Sequence, residues 1–235
     1  MATRYSTADR GVSKGMKTMS SEATASGAPV GLREKARIER YRNIRAAAEQ
    51  LFNERGYEQT TTKEVAELAG VGEATLFRYV SNKHELLLLV IGERMDMTLQ
   101  AIEDADKEVA ASTSSARDYV ERIYAIFRAR AQFYAIDPEN VTSYLHYGFK
   151  AGSQLGAQSI AQGDRIIALT ASILDTARKA GHLTADVDSR TVAQNCNGTY
   201  IHEVLRTPAR GFRPEDLWDK LHERLRVQIE PLFRL

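Results

Sequence analysis

The side chains best placed to do chemistry lie within residues 61–85, TTKEVAELAGVGEATLFRYVSNKHE. A short helix over Thr62–Ala69, a turn at Gly70 and a second helix over roughly Glu73–Val80 leave one compact polar face. That face holds Gly72, Glu73, Ala74, Thr75, Arg78 and Tyr79, and it is narrow enough to enter a DNA major groove. Val65, Ala66, Ala69, Val71 and Leu76 are small or branched enough to hold the two helices close at a steep angle. Gly70 supplies a tight turn without the penalty of a β-carbon.

Other reactive groupings are incomplete. His202-Glu203 and His222-Glu223 begin like a zinc-protease helix, but no second histidine follows three residues after either glutamate. The glycine-rich phosphate loop is absent; Gly148, Gly152 and Gly156 stand four residues apart and suit a closely packed or flexible segment. The single cysteine, Cys196, excludes an intrachain disulfide and leaves a cytoplasmic location as the default. No catalysis, cofactor or metal is expected.

The elements that must position the polar face read as helices throughout. Ile44, Ala48, Leu51 and Phe52 recur at helical spacing in a segment that begins at Arg33 and stops at Gly56. Six cations crowd its first half: Arg33, Lys35, Arg37, Arg40, Arg42 and Arg45. Beside a groove-reading face they suit phosphate contact, with solvated charge as the alternative. Thr61 with Glu64, and Asn82 with Glu85, are capping patterns for the helices that follow them. A long helix is expected over Lys83–Ala110, then helices at 116–136, 139–150, 160–180, 189–206 and 214–232, nine in all with no sheet. The longest apolar run, Leu86–Ile91, is far too short to span a bilayer. Residues 1–32 form a mildly basic, Ser-, Thr- and Ala-rich arm expected to be disordered. Residues 33–84 are expected to form a three-helix, helix-turn-helix DNA-binding domain and 85–235 a larger helical ligand-binding and dimerisation domain.

Over residues 44–87, IRAAAEQLFNERGYEQTTTKEVAELAGVGEATLFRYVSNKHELL, the chain resembles the tetracycline-repressor (TetR) family of transcription regulators. The shared pattern is Ile, paired Ala, Leu-Phe, Gly-Tyr, Thr, Ala-Gly-Val, an apolar-aromatic pair and a lysine at the fourth helix. The resemblance implies that Thr61 and Thr62 meet phosphate at the positive end of the second helix. It implies that Thr75, Tyr79 and Lys83 hold phosphates, and that Gly72, Glu73, Ala74 and Arg78 approach base edges. Arg78 suits a guanine, whose O6 and N7 its fork can bond together. Phe77 stands where the family usually has Tyr, and Gly72 where it often has Ser, so one phosphate contact is missing and the cap of the third helix is weaker but still allowed. Thr61 acting only as a cap remains an alternative.

In the larger domain, Trp218, Leu221, Leu225 and Ile229 form one apolar stripe. Val192, Cys196 and Thr199 share a face of the preceding helix, with Gly198 permitting close approach. Two copies of this helix pair would build a four-helix bundle about a two-fold axis, which the resemblance also implies; otherwise the stripes face their own core. For a small-molecule effector, the expected lining is Tyr124, Phe127, His146, Tyr147, Asn197 and Tyr200, with plain core packing as the alternative for the tyrosines. The reading that unites these parts is a homodimeric, all-helical repressor of a palindromic double-stranded DNA operator, released by an effector and independent of membranes. The alternative is a helical interaction module that has lost sequence-specific DNA binding.

Overall fold

A computed structural model describes residues 31–148, 154–184 and 186–235. The arm at 1–32 therefore lies outside the described residues except for Gly31 and Leu32. Among the described residues there are nine α-helices and no strand, as the helical periodicity led us to expect.

Helix α1 (Leu32–Gln59) buries Ile44, Ala47, Ala48, Leu51 and Phe52, a stripe repeating every three or four residues. Its charged first half buries nothing and projects. Gly56 (φ +80°, ψ 163°) breaks the helical path where a stop was expected, and one more turn follows to Gln59. A β-carbon there would also press within 3.3 Å of the Glu139 carboxylate. The Thr60 hydroxyl donates to the Gly56 carbonyl at 2.9 Å, pairing a backbone group that the break would leave open.

Helix α2 (Thr62–Leu68) starts at a capping box: Thr61 Oγ1 accepts from the Glu64 amide, and the Glu64 carboxylate accepts from the Thr61 amide. Such caps are worth about 1 kcal/mol. The helix ends where Gly70 turns left-handed (φ +67°), its amide bonding the Glu67 carbonyl and the Val71 amide bonding that of Ala66. Helix α3 is shorter than expected. Regular α geometry covers Glu73–Leu76, and Arg78 and Tyr79 follow in tighter turns bonded to Thr75 and Leu76.

Helix α4 (Lys83–Ala110) is capped by Asn82, and Glu85 reaches back to the Ser81 amide. Leu86 through Gly92 are all buried, because this part of α4 is enclosed by neighbouring helices on every side. α4 packs on α1, α5 (Ala116–Ile136), α6 (Pro138–Gly148) and α7 (Gln154–Lys179). A bidentate ion pair, Arg122 to Asp106 at 2.8 and 2.9 Å, ties α5 to α4. Arg165 ties α7 to Glu103 at 2.9 Å. At Gly148 a β-carbon would fall 2.4 Å from Ser159 Oγ, so α6 meets α7 closely at that glycine.

Helices α8 (Ser189–Arg206) and α9 (Leu217–Ile229) pack on each other and on the body. α9 is shorter than expected, with 3-10 turns at Pro214–Asp216 and Glu230–Leu232, where proline denies a backbone donor. Arg234 and Thr184 amides bond the carbonyls of His182 and Leu232, fastening the C-terminus to the α7–α8 connection. Among the described residues no helix is long and apolar enough to cross a membrane.

Candidate functional site

The expected groove-reading face stands clear of the core. Gly72, Glu73, Ala74 and Arg78 are exposed, while Leu76 is fully buried beneath them. Phe77 is also exposed at 45%. The first half of α1 and the end of α3 enclose an open concavity of about 1000 Å³ lined by Arg33, Arg37, Arg40, Arg78, Thr75 and Tyr79. Its carboxylate, Glu34, is held by Arg37 at 2.6 Å. Arg40 Nε donates to the Tyr79 hydroxyl at 3.2 Å, which orients that ring against α1. The concavity is thus a cationic wall beside the polar face, the arrangement that phosphate binding requires.

Several expected contacts are engaged within the chain. The Thr61 hydroxyl serves its cap, and the Thr62 hydroxyl donates to Glu73 at 3.1 Å, so Glu73 is drawn toward α2. Lys83 turns inward: its ammonium donates to the Glu58 carbonyl at 3.0 Å and lies 4.3 Å from the Tyr57 ring centre. Burial holds its pKa below the ordinary value. Phosphate contact by Lys83 requires that it leave this seat. Arg45 is closed on Glu93 of α4 at 2.6 Å.

The expected effector residues do not gather. His146 and Tyr147 sit at the junction of head and body, where Tyr147 stacks on His84 with ring centres 3.8 Å apart and His84 bonds Tyr57. Tyr124 packs edge-on against His222 at 4.7 Å and donates to Glu230, far along the α5–α9 seam. Phe127 and Tyr200 are buried in the core. Only Asn197 lines the partly open cavity between α4, α5, α6, α7 and α8, whose volume is about 140 Å³. Sequence reasoning missed its polar wall: Arg130, Tyr144, Ser159 and Gln162. The Tyr144 hydroxyl donates to Gln162, whose amide donates to the Gly92 carbonyl of α4 at 2.8 Å. The cavity is therefore wired to the helix that begins at the reading head. A legible signal existed at Arg130, a cation in the same helical register as the buried Ile123, Phe127 and Tyr134.

The expected dimer face needs correction. Cys196, Leu221, Leu225 and Ile229 are 0% exposed within one chain, so they fill its own core and no partner can reach them. Val192, Thr199 and Trp218 keep partial exposure. The outward stripe of α8 is instead Thr191, Asn195, Gly198 and His202, with Val227 of α9 exposed at 65%.

Residues 44–90 match the family of bacterial regulatory proteins, tetR family. The Fatty acid metabolism regulator protein of Bacillus subtilis is 32% identical over 73 residues, 31% of this chain and 38% of that one. The HTH-type transcriptional activator FasR of Mycolicibacterium smegmatis is 29% identical over 104 residues, 44% of this chain and 48% of that one. The matches thus span less than half the length of these relatives. Among solved structures, Thermus thermophilus FadR, a TetR-family repressor in complex with lauroyl-CoA, superposes with a TM-score of 0.63 and 24% identity. That likeness covers 83% of this chain and 96% of the other. Bacillus subtilis FadR in complex with stearoyl-CoA gives a TM-score of 0.61 at 20% identity, over 82% and 99%. The resemblance read in the head is borne out, and the fold likeness runs through the helical body.

Proposed function

We propose, from a head that matches the tetR-family model over residues 44–90, that this transcription regulator binds a palindromic operator as a homodimer and represses until a small molecule releases it. The observation that carries the proposal is the exposed face of Gly72, Glu73, Ala74 and Arg78 beside a concavity walled by Arg33, Arg37 and Arg40. Arg78 reads a base edge, and the α1 arginines and Tyr79 hold the backbone. One short helix spans few base pairs, so two heads about 34–36 Å apart, or a multiple of that, read a symmetric site. We place the partner on the outward face of α8 and α9, at Asn195, Gly198, His202 and Val227.

Release runs along α4. An effector in the cavity touches Gln162, which holds the Gly92 carbonyl, and the same helix carries Glu93 against Arg45 of the head. An effector that favours one tilt of α4 changes the separation of two heads and breaks their register. About 1.4 kcal/mol of such coupling gives a tenfold loss of operator affinity. The acyl-CoA ligands of the two FadR structures point to an acyl effector as one candidate. This cavity of about 140 Å³ is well below the ~300–1,000 Å³ of sites for drug-sized ligands, which favours a more compact one.

The test is selection of genomic fragments by the purified protein and by its Arg78→Ala variant at two salt concentrations. One palindromic sequence recovered by the wild type and lost by the variant supports the reading. Sequence-blind binding, or none, overturns it in favour of an interaction module whose Lys83, Thr62 and Glu73 stay engaged internally as they are here.

A further inference from the structure

Arg130 is the least expected side chain of the helical body. It lies on α5 at 4% exposure, deep among aromatic residues. Its Nη1 donates to Asn197 Oδ1 at 2.8 Å, and its guanidinium sits 3.7 Å from the centre of the Tyr200 ring. Its Nε is buried with no hydrogen-bond partner. Among the described residues no carboxylate forms an ion pair with it, whereas Arg122 and Arg165, which also reach between helices, each have one. Arginine does not shed its proton. A cation removed from water without a counter-ion is strongly unfavourable, so a fold keeps one only where something compensates it.

Arg130 also lines the cavity of about 140 Å³. Asn197 shares that wall, with its Oδ1 taken by Arg130 and its amide nitrogen near Gly163. The opposite wall has less to offer a ligand, because the Tyr144 hydroxyl and the Gln162 side chain are bonded to each other and to α4. Met95, Leu99 and Ile167 make the remainder apolar. The acidic side chain at the rim, Asp164, is exposed and lies beyond ion-pair distance of Arg130. A buried planar cation with an unpaired donor, an amide beside it and apolar walls suit an anion on a hydrocarbon body. The volume is close to that of a cavity that holds benzene, about 150 Å³.

We propose that the effector is a compact organic acid, an aromatic or short aliphatic body whose carboxylate pairs with Arg130 and Asn197. This rests on the effector-release reading above and narrows it. The acid supplies the missing counter-ion. Its body fills the space against Leu99 of α4 and the Gln162 bridge, so occupancy bears directly on the helix that carries the head.

The experiment titrates wild type, Arg130→Met, Arg130→Lys and Asn197→Leu with matched compounds: benzoate, cyclohexanecarboxylate and hexanoate, their amides and methyl esters, phenyl phosphate, and lauroyl-CoA. Calorimetry reads binding, and gel shift on the selected operator reads release. The carboxylates are expected to bind wild type about 30-fold or more tightly than their amides and esters. Arg130→Met should lose that preference and Arg130→Lys keep part of it. If Arg130→Met does not fold, Arg130→Lys and Asn197→Leu carry the comparison. Equal binding of acids and neutral isosteres, an acid preference that survives loss of Arg130, tighter binding of phenyl phosphate, or no acid binding overturns the assignment. Release by lauroyl-CoA or a neutral compound alone would sink the carboxylate and leave the effector reading standing. Acids that bind through Arg130 without releasing DNA would do the reverse.

Discussion

Arg45 on α1 stands 2.6 Å from the carboxylate of Glu93 on α4, joining the reading head to the long helix behind it. Arg45 is therefore unavailable to DNA while the pair holds, although it belongs to the same basic run as Arg37 and Arg40. The pair is half exposed, and pairs of that kind contribute about 0.2–1 kcal/mol. Glu93→Gln should lower unfolding free energy in urea by less than about 1 kcal/mol. A loss several times larger would mean that the bridge, rather than the packing of Ile44 and Leu51, fixes the head on α4.

Arg78 is exposed beside Phe77, whereas Arg40 is tied to Tyr79. Removing each should therefore act differently. Arg78→Ala is expected to cost ~1–3 kcal/mol of discrimination at one base position with the melting temperature unchanged. Arg40→Ala should weaken specific and random DNA together and reduce the slope of log affinity against log salt by about 1. Fluorescence anisotropy over a salt series separates the two, and equal behaviour of both variants would refute the division of labour.

The proposed dimer face makes a contrast that sedimentation can read. Leu225 is buried within one chain, so Leu225→Ala should cost about 2–5 kcal/mol of stability, chiefly by opening a cavity. Gly198 has open space around a would-be β-carbon, and Val227 is mostly exposed. Gly198→Glu and Val227→Glu should leave helix content intact and shift the protein toward monomer. If both variants stay dimeric, the two-fold contact lies elsewhere.

The reading head was legible because its signals are local. Thr61 with Glu64, Gly70 and Asn82 each act within a few residues of themselves, and the structure uses them as caps and turns. The cavity proposed for the effector was not, because Asn197 and Arg130 are 67 residues apart and meet only after α5 and α8 pack. Aromatic density pointed to Tyr124 and Tyr147, which turned out to pack seams between helices. The stripe of α9 was a true stripe aimed inward. Periodicity shows that a face is buried and leaves open whether the same chain or a partner covers it. One cation set in the apolar register of α5, Arg130, was the legible sign of the cavity's polar wall.

Cys196 is fully enclosed, and burial pushes its thiol up to about 12. The thiolate is the reactive form, so at pH 8 the native protein should scarcely react with a disulfide reagent. Reaction should track unfolding as urea is added, which makes this one cysteine a reporter of the α8–α9 packing. Rapid native labelling would show that α8 opens from α9 without global unfolding.

Asp118 accepts from the amides of Ser114 and Ser115 at the start of α5, and these bonds hold its carboxyl below the ordinary 3.8. A carboxyl whose native pKa is depressed binds its proton more weakly when folded. Its contribution is therefore complete above the unfolded value and disappears as pH falls through the native one. The stability gap between wild type and Asp118→Asn should accordingly be constant from pH 7 to about 5 and close progressively below about 4. Urea midpoints at matched pH measure it. A gap that persists unchanged at pH 2 would mean that asparagine disturbs the helix start by its shape, not by loss of the charge.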